Sequence, residues 1–561
     1  MKVGKIVLRI SQIKINISEF YHTNKQEIDR FTWKEIYGKQ EESLIRKKAE
    51  KLFRCKENEI EKISIVKRSI DARKKQEIYY NYCVDIQLKG ELEKKVLLKD
   101  KKKRFKKAEE IVYQPPKMGE QKQNYRPVVI GFGPAGMFCA LELAKAGYCP
   151  IVLERGKMVE QRMEDVCQFW EQGILKPDSN VQFGEGGAGT FSDGKLNTTV
   201  KDPSGRNRKV LEVFVEHGAE KEILYLQKPH IGTDALCNIV KNIRLDIEKH
   251  GGGVRFGSKV TNFRTDEQEK LCAIEINGQE WLDTEVAVLA IGHSARDTFQ
   301  VLHDKGMYME KKPFAIGVRV EHKQSDIDTN QYGELAGILP AADYKLTYQA
   351  ENGRNVFSFC MCPGGFVVNA ASECESLVVN GMSNHDRSEA NANSALVVNV
   401  VPEDFPSEDV LAGVEFQRKW EKLAYKEGNG KVPVQLFEDF KKNKKSEAFN
   451  RIVPIHKGSV ALGNLKNCLP DFVCETLEEG IEQFGKRIKG FAEPDVILSG
   501  VETRTSSPVR IKRNDDLEGS IQGVYPCGEG AGYAGGITSA AMDGLRVYEA
   551  IRKKYCPIQM R

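Results

Sequence analysis

No stretch of the 561-residue chain reaches the roughly 18 uninterrupted apolar residues that a membrane-crossing helix needs. A membrane span is therefore not expected. There is no CxxC pair either. The 14 cysteines are scattered, which leaves out the paired ligands of a zinc ribbon and the framework of a small secreted disulfide protein. Mostly reduced thiols, no metal site and a cytoplasmic location are the expectations, and the opening MKVGKIVLRISQIK is expected to form a first strand rather than a signal peptide. With 40% hydrophobic and 29% charged residues the chain is neither collagen-like, mucin-like nor wholly disordered. Its length exceeds one ordinary core, so two or three domains are expected.

Lys+Arg exceed Asp+Glu by only five overall, 85 against 80, but residues 1–110 hold 30 against 18 and carry +12, leaving −7 for the rest. The excess peaks in residues 99–107, KDKKKRFKK, ahead of Gln114-Pro115-Pro116. Such a run can draw phosphates by counterion release. Such runs are more often solvated linkers, which is the expectation for 99–107, and the linker proper is expected over 111–125. Upstream, a strand-like 5–10, a helical stretch around 41–53 and the runs IEKISIVKRSI and YYNYCVDIQL suit a small basic α/β domain over 1–110, ferredoxin-like in its order. It is expected to fold separately and to be removable at the linker.

From Arg126 the sequence PVVIGFGPAGMFCALELAKAGYCPIVLERG gives an apolar run, a glycine-rich turn, a helical pattern and a second apolar run ending in an acid. This is a βαβ unit with a dinucleotide fingerprint. Gly131 permits the tight turn, Gly133 lets backbone approach a pyrophosphate, and Gly136 lets helix pack on strand, with Pro134 and Ala135 completing the loop. The helix N-terminus then offers unpaired amides to phosphates. Glu154, with 17 residues between it and Gly136, can accept the hydroxyls of an adenosine ribose, and Arg155 follows it.

The same fingerprint serves NAD and FAD, and three later segments favour FAD. Residues 183–196, FGEGGAGTFSDGKL, place five glycines in 14 positions, Gly187 and Gly189 among them, as where backbone lies against a flat ligand. EVAVLAIG is a buried strand ending at Gly292. GVYPCGEGAGYAGGITSAAMDGL, nearly 400 residues after the first motif, is a strand, an acid in a glycine loop and a helix.

With these segments the chain resembles the two-dinucleotide-domain flavoproteins in the fold of glutathione reductase. More narrowly, EGGAGTFSDGKL, KPHIGTD, AIGHSARDT, PFAIGVRVEH, FCMCPGG, NGMSNHDRSEANAN and CGEGAGYAGGITSAAMDG together are similar to the bacterial family called uncharacterised FAD-dependent dehydrogenases. The resemblance implies an α/β fold in which a discontinuous Rossmann-like FAD-binding domain, 126–298 and 492–561, carries an inserted mixed or antiparallel α+β substrate domain, 299–491. It implies non-covalent FAD, with Gly131, Gly133, Gly136 and Glu154 on the ADP half and Val260 at the adenine. Gly528 and Glu529, the latter in place of the usual Asp, would meet the ribityl or pyrophosphate region, and Gly535, Gly536 and Ile537 the flavin pyrimidine.

The second nucleotide fingerprint and paired-cysteine motif of disulfide reductases are absent, so NAD(P)H is expected only as a transient electron donor, with an electron-carrier protein as the alternative. Candidates beside the flavin are His293, a neutral imidazole able to shuttle a proton, and Arg319, Arg354 and Arg504, which would give one pocket a taste for a small anionic substrate. His230, before Gly232-Thr233-Asp234, fits a helix start better than chemistry. Cys360 and Cys362 form a C-x-C in which one thiol, Cys362 foremost, could act. Two residues one apart on a strand point to opposite faces, however, so the flavin alone is expected to carry the electrons. The leading reading is a FAD-dependent oxidoreductase. The second is an RNA-associated flavoprotein docked through the basic N-terminal domain.

Overall fold

In the strand Tyr79–Leu88 every second side chain, from Tyr80 to Leu88, is buried, the period of a sheet with one covered face. It lies inside a four-stranded antiparallel sheet ordered Ile60–Asp71, Tyr79–Leu88, Leu8–Asn16, Phe105–Lys107. The helix Arg30–Phe53 covers that face, with Trp33 Nε1 donating to the Tyr80 hydroxyl at 3.0 Å. This computed structural model describes residues 7–20, 29–90, 92–100, 103–109 and 111–558. Lys5 and Ile6 of the expected first strand, Lys101 and Lys102 of the basic run and Glu110 at the expected domain edge lie outside the described residues.

Three sequence expectations change here. The basic run is not a linker, because Phe105–Lys107 pairs with Leu8, Arg9 and Ile10 as an edge strand whose Phe105 is buried and whose Lys106 and Lys107 face solvent. Nor does the N-terminal sheet stand apart. Its core runs on into Ile327, Tyr332, Leu335, Ile338 and Leu339. Arg68, nearly buried, reaches Glu41 and Glu222, and its backbone exchanges bonds with Tyr225 and Gln227. The stretch 111–125 is also tied down, since Gly119 donates to Arg552 O at 2.8 Å and a Cβ at Gly119 would overlap the Lys554 carbonyl.

The glycine fingerprint sits in a five-stranded parallel sheet ordered Val524–Pro526, Ala287–Leu289, Val128–Ile130, Ile151–Leu153, Gly253–Arg255. The strands are buried and purely apolar apart from the edge strand, as a parallel sheet covered by helices demands. Helices Pro134–Lys145, Thr233–Lys249 and Ile537–Lys554 supply that cover. Chain order runs outward to one side of Val128–Ile130 and then switches to the other, so the loops after Ile130 and Leu289 flank the crevice where such sheets bind ligands.

The second large core belongs to a seven-stranded sheet ordered Thr347–Gln349, Asn355–Cys362, Asn391–Val400, Phe314–Lys323, Ile497–Glu502, Val432–Leu436, Val460–Leu462, antiparallel except for its last pair. Ile497–Glu502 lies beyond residue 491, where the return to the first domain is expected from sequence. A buried strand does not say from its sequence which sheet it joins. Among the described residues no helix is long and apolar enough to cross a membrane.

Candidate functional site

Where the parallel sheet meets the seven-stranded sheet there is a cavity of about 370 Å³, the size of a small-molecule or cofactor site. Gly131, Gly133, Pro134 and Ala135 line it from the first loop, Glu154 and Arg155 from the second strand end, and Gly187 and Gly189 from the glycine-rich stretch. Val260, Gly292 and His293 follow, and Glu529, Gly535, Gly536 and Ile537 close it from the C-terminal loop. The inserted sheet adds a wall of Phe359, Cys360, Glu502, Arg504 and Thr505.

Backbone explains the glycines. Gly131 has φ 96° and a Cβ there would meet the Ala290 carbonyl; a Cβ on Gly136 would overlap the Gly131 oxygen. Gly136 thus packs beneath the cavity rather than lining it, as does Gly528, whose amide donates to Asp543 at 2.8 Å. At Gly535 and Gly536 a Cβ would meet no protein atom within 4 Å, so both open onto the space. Two helices, Pro134–Lys145 and Ile537–Lys554, begin at this cavity with glycine N-caps and no side-chain capping bond. Their free amides and positive dipole ends suit a diphosphate.

The Glu154 carboxylate, buried, accepts from the amides of Phe132, Gly156 and Gly184 at 2.8–2.9 Å. Three loops are thereby fixed around the strand end where a ribose would sit. Arg155 pairs with Asp178 and Asp297 and lies over the Phe183 ring. His293 has its Nε2 buried without a hydrogen-bond partner, and its Nδ1 stands 3.7 Å from Glu529 Oε1. Burial, then the neighbouring Arg504 and Arg296, hold this imidazole down to about 3, so it is neutral at physiological pH. Burial pushes the Glu529 and Glu502 carboxyls up to about 7, against Lys312 and Arg319 respectively. Paired helix N-termini, an orphaned imidazole nitrogen and glycines open to the cavity are a donor set that fits FAD.

The expected trio of arginines does not converge. Arg354 bonds Asp404 at 2.6 and 2.7 Å and stays outside the cavity lining. Arg319 is wholly buried behind the wall, donating to Glu502, Asn393 and the Cys360 carbonyl, in room left by Gly381, where any Cβ would overlap the guanidinium. Arg504 alone reaches the cavity, and it shares the buried Glu421 carboxylate with Arg296. Charge on an arginine is satisfied by whichever carboxylate the fold supplies, and spacing in sequence does not reveal that partner. Cys362 is likewise buried behind the wall while Cys360 lines the cavity.

Lys195, Asp193 and Arg387 are further groups at the site. Arg387 donates to Asp193 at 2.9 Å and Lys195 Nζ lies 3.2 Å from the same carboxylate. Asp193 and Lys195 belong to FSDGKL, so the signal was present there, but no spacing ties Arg387 to it. His230 borders this group, bonded to the His385 carbonyl at 3.0 Å and stacked on its ring. The helix Thr233–Lys249 starts just beyond it, at Gly232.

Among the described residues no group of three or more His, Cys, Asp or Glu side chains could hold a metal ion. Comparison with known proteins gives two family matches, "FAD-dependent protein, C-terminal domain-like" over residues 313–505 and "Domain of unknown function (DUF8436)" over 8–87. Glycine oxidase of Bacillus cereus ATCC 14579 is 11% identical, covering 76% of this chain and 95% of its own, with a TM-score of 0.34. L-proline dehydrogenase of P. horikoshii is 12% identical over 78% and 94%, with a TM-score of 0.31. Likeness at that level decides nothing about this chain. An "Uncharacterized protein" of Clostridium beijerinckii (strain ATCC 51743 / NCIMB 8052) is 50% identical over 519 residues, 91% of this chain and 96% of its own. The chain therefore belongs to one family with that Clostridium protein and is a FAD-dependent flavoprotein carrying the C-terminal domain of FAD-dependent proteins.

Proposed function

We propose that this flavoprotein is an oxidoreductase of the dehydrogenase class, moving a hydride between a small substrate and FAD. The observation that carries the reading is a single cavity walled on one side by the dinucleotide loops and on the other by polar groups of the inserted sheet. FAD, when bound, supplies the two-electron chemistry. The chain's residues bind and orient: the helix N-termini at Gly133 and Gly536 take the diphosphate, Glu154 the ribose and Val260 the adenine. On this reading the FAD domain is discontinuous, and the N-terminal sheet is a ferredoxin-like module docked on it.

Lys195 and Arg387 against the one carboxylate Asp193 leave a net +1 beside the cavity, which suits an anionic substrate. His293, neutral, can donate or accept one hydrogen bond, and the Glu529 and Glu502 carboxyls, raised toward 7, can hold or release a proton near neutrality. Electrons would arrive from or leave to NAD(P)H or a carrier protein. The scattered free thiols suit a reducing compartment such as the cytoplasm. An anaerobic screen of the flavin absorption band against NADH, NADPH and a panel of carboxylated donors tests this. Bleaching by at least one donor is expected, and a flavin that no donor bleaches and no acceptor reoxidises after dithionite reduction would contradict an oxidoreductase.

A further inference from the structure

The strand Asn355–Cys362 does not alternate to its end. Its pairing with Asn391–Val400 slips between Phe359 and Cys362, and Cys360 takes φ 41°. One extra residue is thus bulged out of the ladder, as in a β-bulge that re-aims a side chain. The consequence is chemical. Cys360 and Cys362, which a regular strand would send to opposite faces, are brought round to the same guanidinium, since Arg319 reaches both the Cys360 carbonyl and Cys362 Sγ. Cys362 Sγ also lies 3.4 Å from the Cys360 carbonyl, and Cys360 lines the cavity.

Two cations stand beside the pair, Arg319 matched by Glu502 and Lys195 by Asp193, with Glu529 on the same cavity. Arg319 anchors the bulge by donating to the Cys360 carbonyl at 2.7 Å and stands 3.9 Å from Cys362 Sγ. Lys195, its Nζ buried and 3.2 Å from the Asp193 carboxylate, lines the same cavity as Cys360. The Cys362 thiol, with Arg319 and Lys195 behind it, holds Cys360 below the ordinary thiol range and is itself pushed up. Cys360 faces the cavity and Cys362 is buried two residues behind it, the arrangement that a pair of attacking and resolving thiols needs.

We propose that Cys360 and Cys362 are a redox-active dithiol opening onto the cavity, with Cys360 attacking and Cys362 resolving, and that its reaction partners are small anionic disulfides. The Cys360 thiolate attacks one sulfur of R–S–S–R. The S–S bond breaks, a Cys360–S–S–R bond forms, and one RSH leaves with a proton. Cys362 then attacks Cys360 Sγ and expels the second RSH. Two cysteine thiols are oxidised by two electrons, one disulfide is reduced to two thiols, and the two thiol protons leave on the products. The proposal departs from the expectation that the flavin alone carries electrons, because the bulge breaks the strand alternation on which that expectation rests.

The dithiol is a property of the chain's own side chains, so its test reads masses rather than turnover. The full chain as purified is equilibrated with graded ratios of glutathione to glutathione disulfide, alkylated and digested with trypsin. The peptide 355–387 holds Cys360, Cys362 and Cys374. At oxidising ratios it is expected to lose two alkylations and two hydrogens together, and to do so equally in Cys374→Ser. Cys362→Ser is expected to stop at a glutathione adduct on Cys360. Lys195→Met is expected to slow alkylation of Cys360 by iodoacetamide at pH 7 about tenfold and to recover at higher pH, a shift in profile that a merely structural lysine would not cause. Full alkylation of Cys360 at the most oxidising ratio, a disulfide that requires Cys374, or no adduct in Cys362→Ser would each overturn the proposal. A chain that binds FAD but has inert thiols, or one with the dithiol and no FAD, separates this inference from the reading of the cofactor.

Discussion

Glu421 is the sharpest place to perturb the junction of the two large sheets. Its side chain has no exposure, and its two flanking arginines have 1% each. Six bonds of 2.7–3.0 Å converge on it, two from Arg296, two from Arg504, one from Thr503 and one from Ser376. In Glu421→Gln the amide nitrogen must face the three donors on one oxygen, and each buried donor left unsatisfied costs about 1–3 kcal/mol. Arg296 keeps Glu373, while Arg504 keeps only the hydroxyls of Ser294 and Ser372. Breaking a buried pair from one side costs about 3–5 kcal/mol, and that is the expected loss. Urea unfolding followed by tryptophan fluorescence, with Trp420 adjacent, should show a lower midpoint at unchanged slope. Burial alone would raise this carboxyl, but Arg296 and Arg504 outweigh it and hold it well below the usual range. A folded-state value below the unfolded one contributes stability above pH ~4.3 that is lost as pH falls. The wild type should therefore lose more stability between about pH 5 and pH 2 than the variant does. A loss under about 1 kcal/mol, or the same acid sensitivity in both, would refute the reasoning.

Glu154→Gln turns an NH₂ toward one of three backbone amides and offers a ribose a weaker acceptor, so FAD retention should fall by about 1.5–3 kcal/mol; equilibrium titration with FAD checks it, and unchanged affinity would move the role elsewhere. Because Glu529 is raised toward 7 in the folded chain, its contribution is full below pH ~4.3 and fades as pH rises through 7. Glu529→Gln should therefore gain stability relative to wild type at pH 8 and not at pH 5, as thermal melts at the two pH values would show. Deleting the chain up to residue 110 should uncover Ile327, Leu335, Ile338 and Leu339 and give aggregated or flavin-poor protein. A soluble, flavin-loaded fragment would show instead that the N-terminal sheet is dispensable.

Local signals were readable where one residue type does one mechanical job. The turn at Gly131, the close packing at Gly136 and the acid at Glu154 follow from the spacing of one fingerprint because backbone geometry leaves few alternatives, whereas Gly535 and Gly536 were implied by the family resemblance. Tertiary partners do not follow from spacing. Nothing in the sequence links Arg319 to Glu502 or Arg504 to Glu421, so arginines that look free for an anionic substrate are in fact neutralised within the fold. The strand Ile497–Glu502 is as fully buried as a flavin-domain strand, and only its pairing with Phe314–Lys323 assigns it. The bulge at Cys360 escaped a period-two reading because Pro363-Gly364-Gly365 read as the end of the strand rather than as a break within it. The basic run 99–107 resembled a linker because an edge strand with one buried residue is mostly lysine by composition.

The most direct test of the account is the cofactor itself. Chromatography of the material released by heating the purified chain, before and after incubation with FAD, is expected to give about one FAD per chain, released without proteolysis. NAD, FMN, or no cofactor even after reconstitution would contradict it.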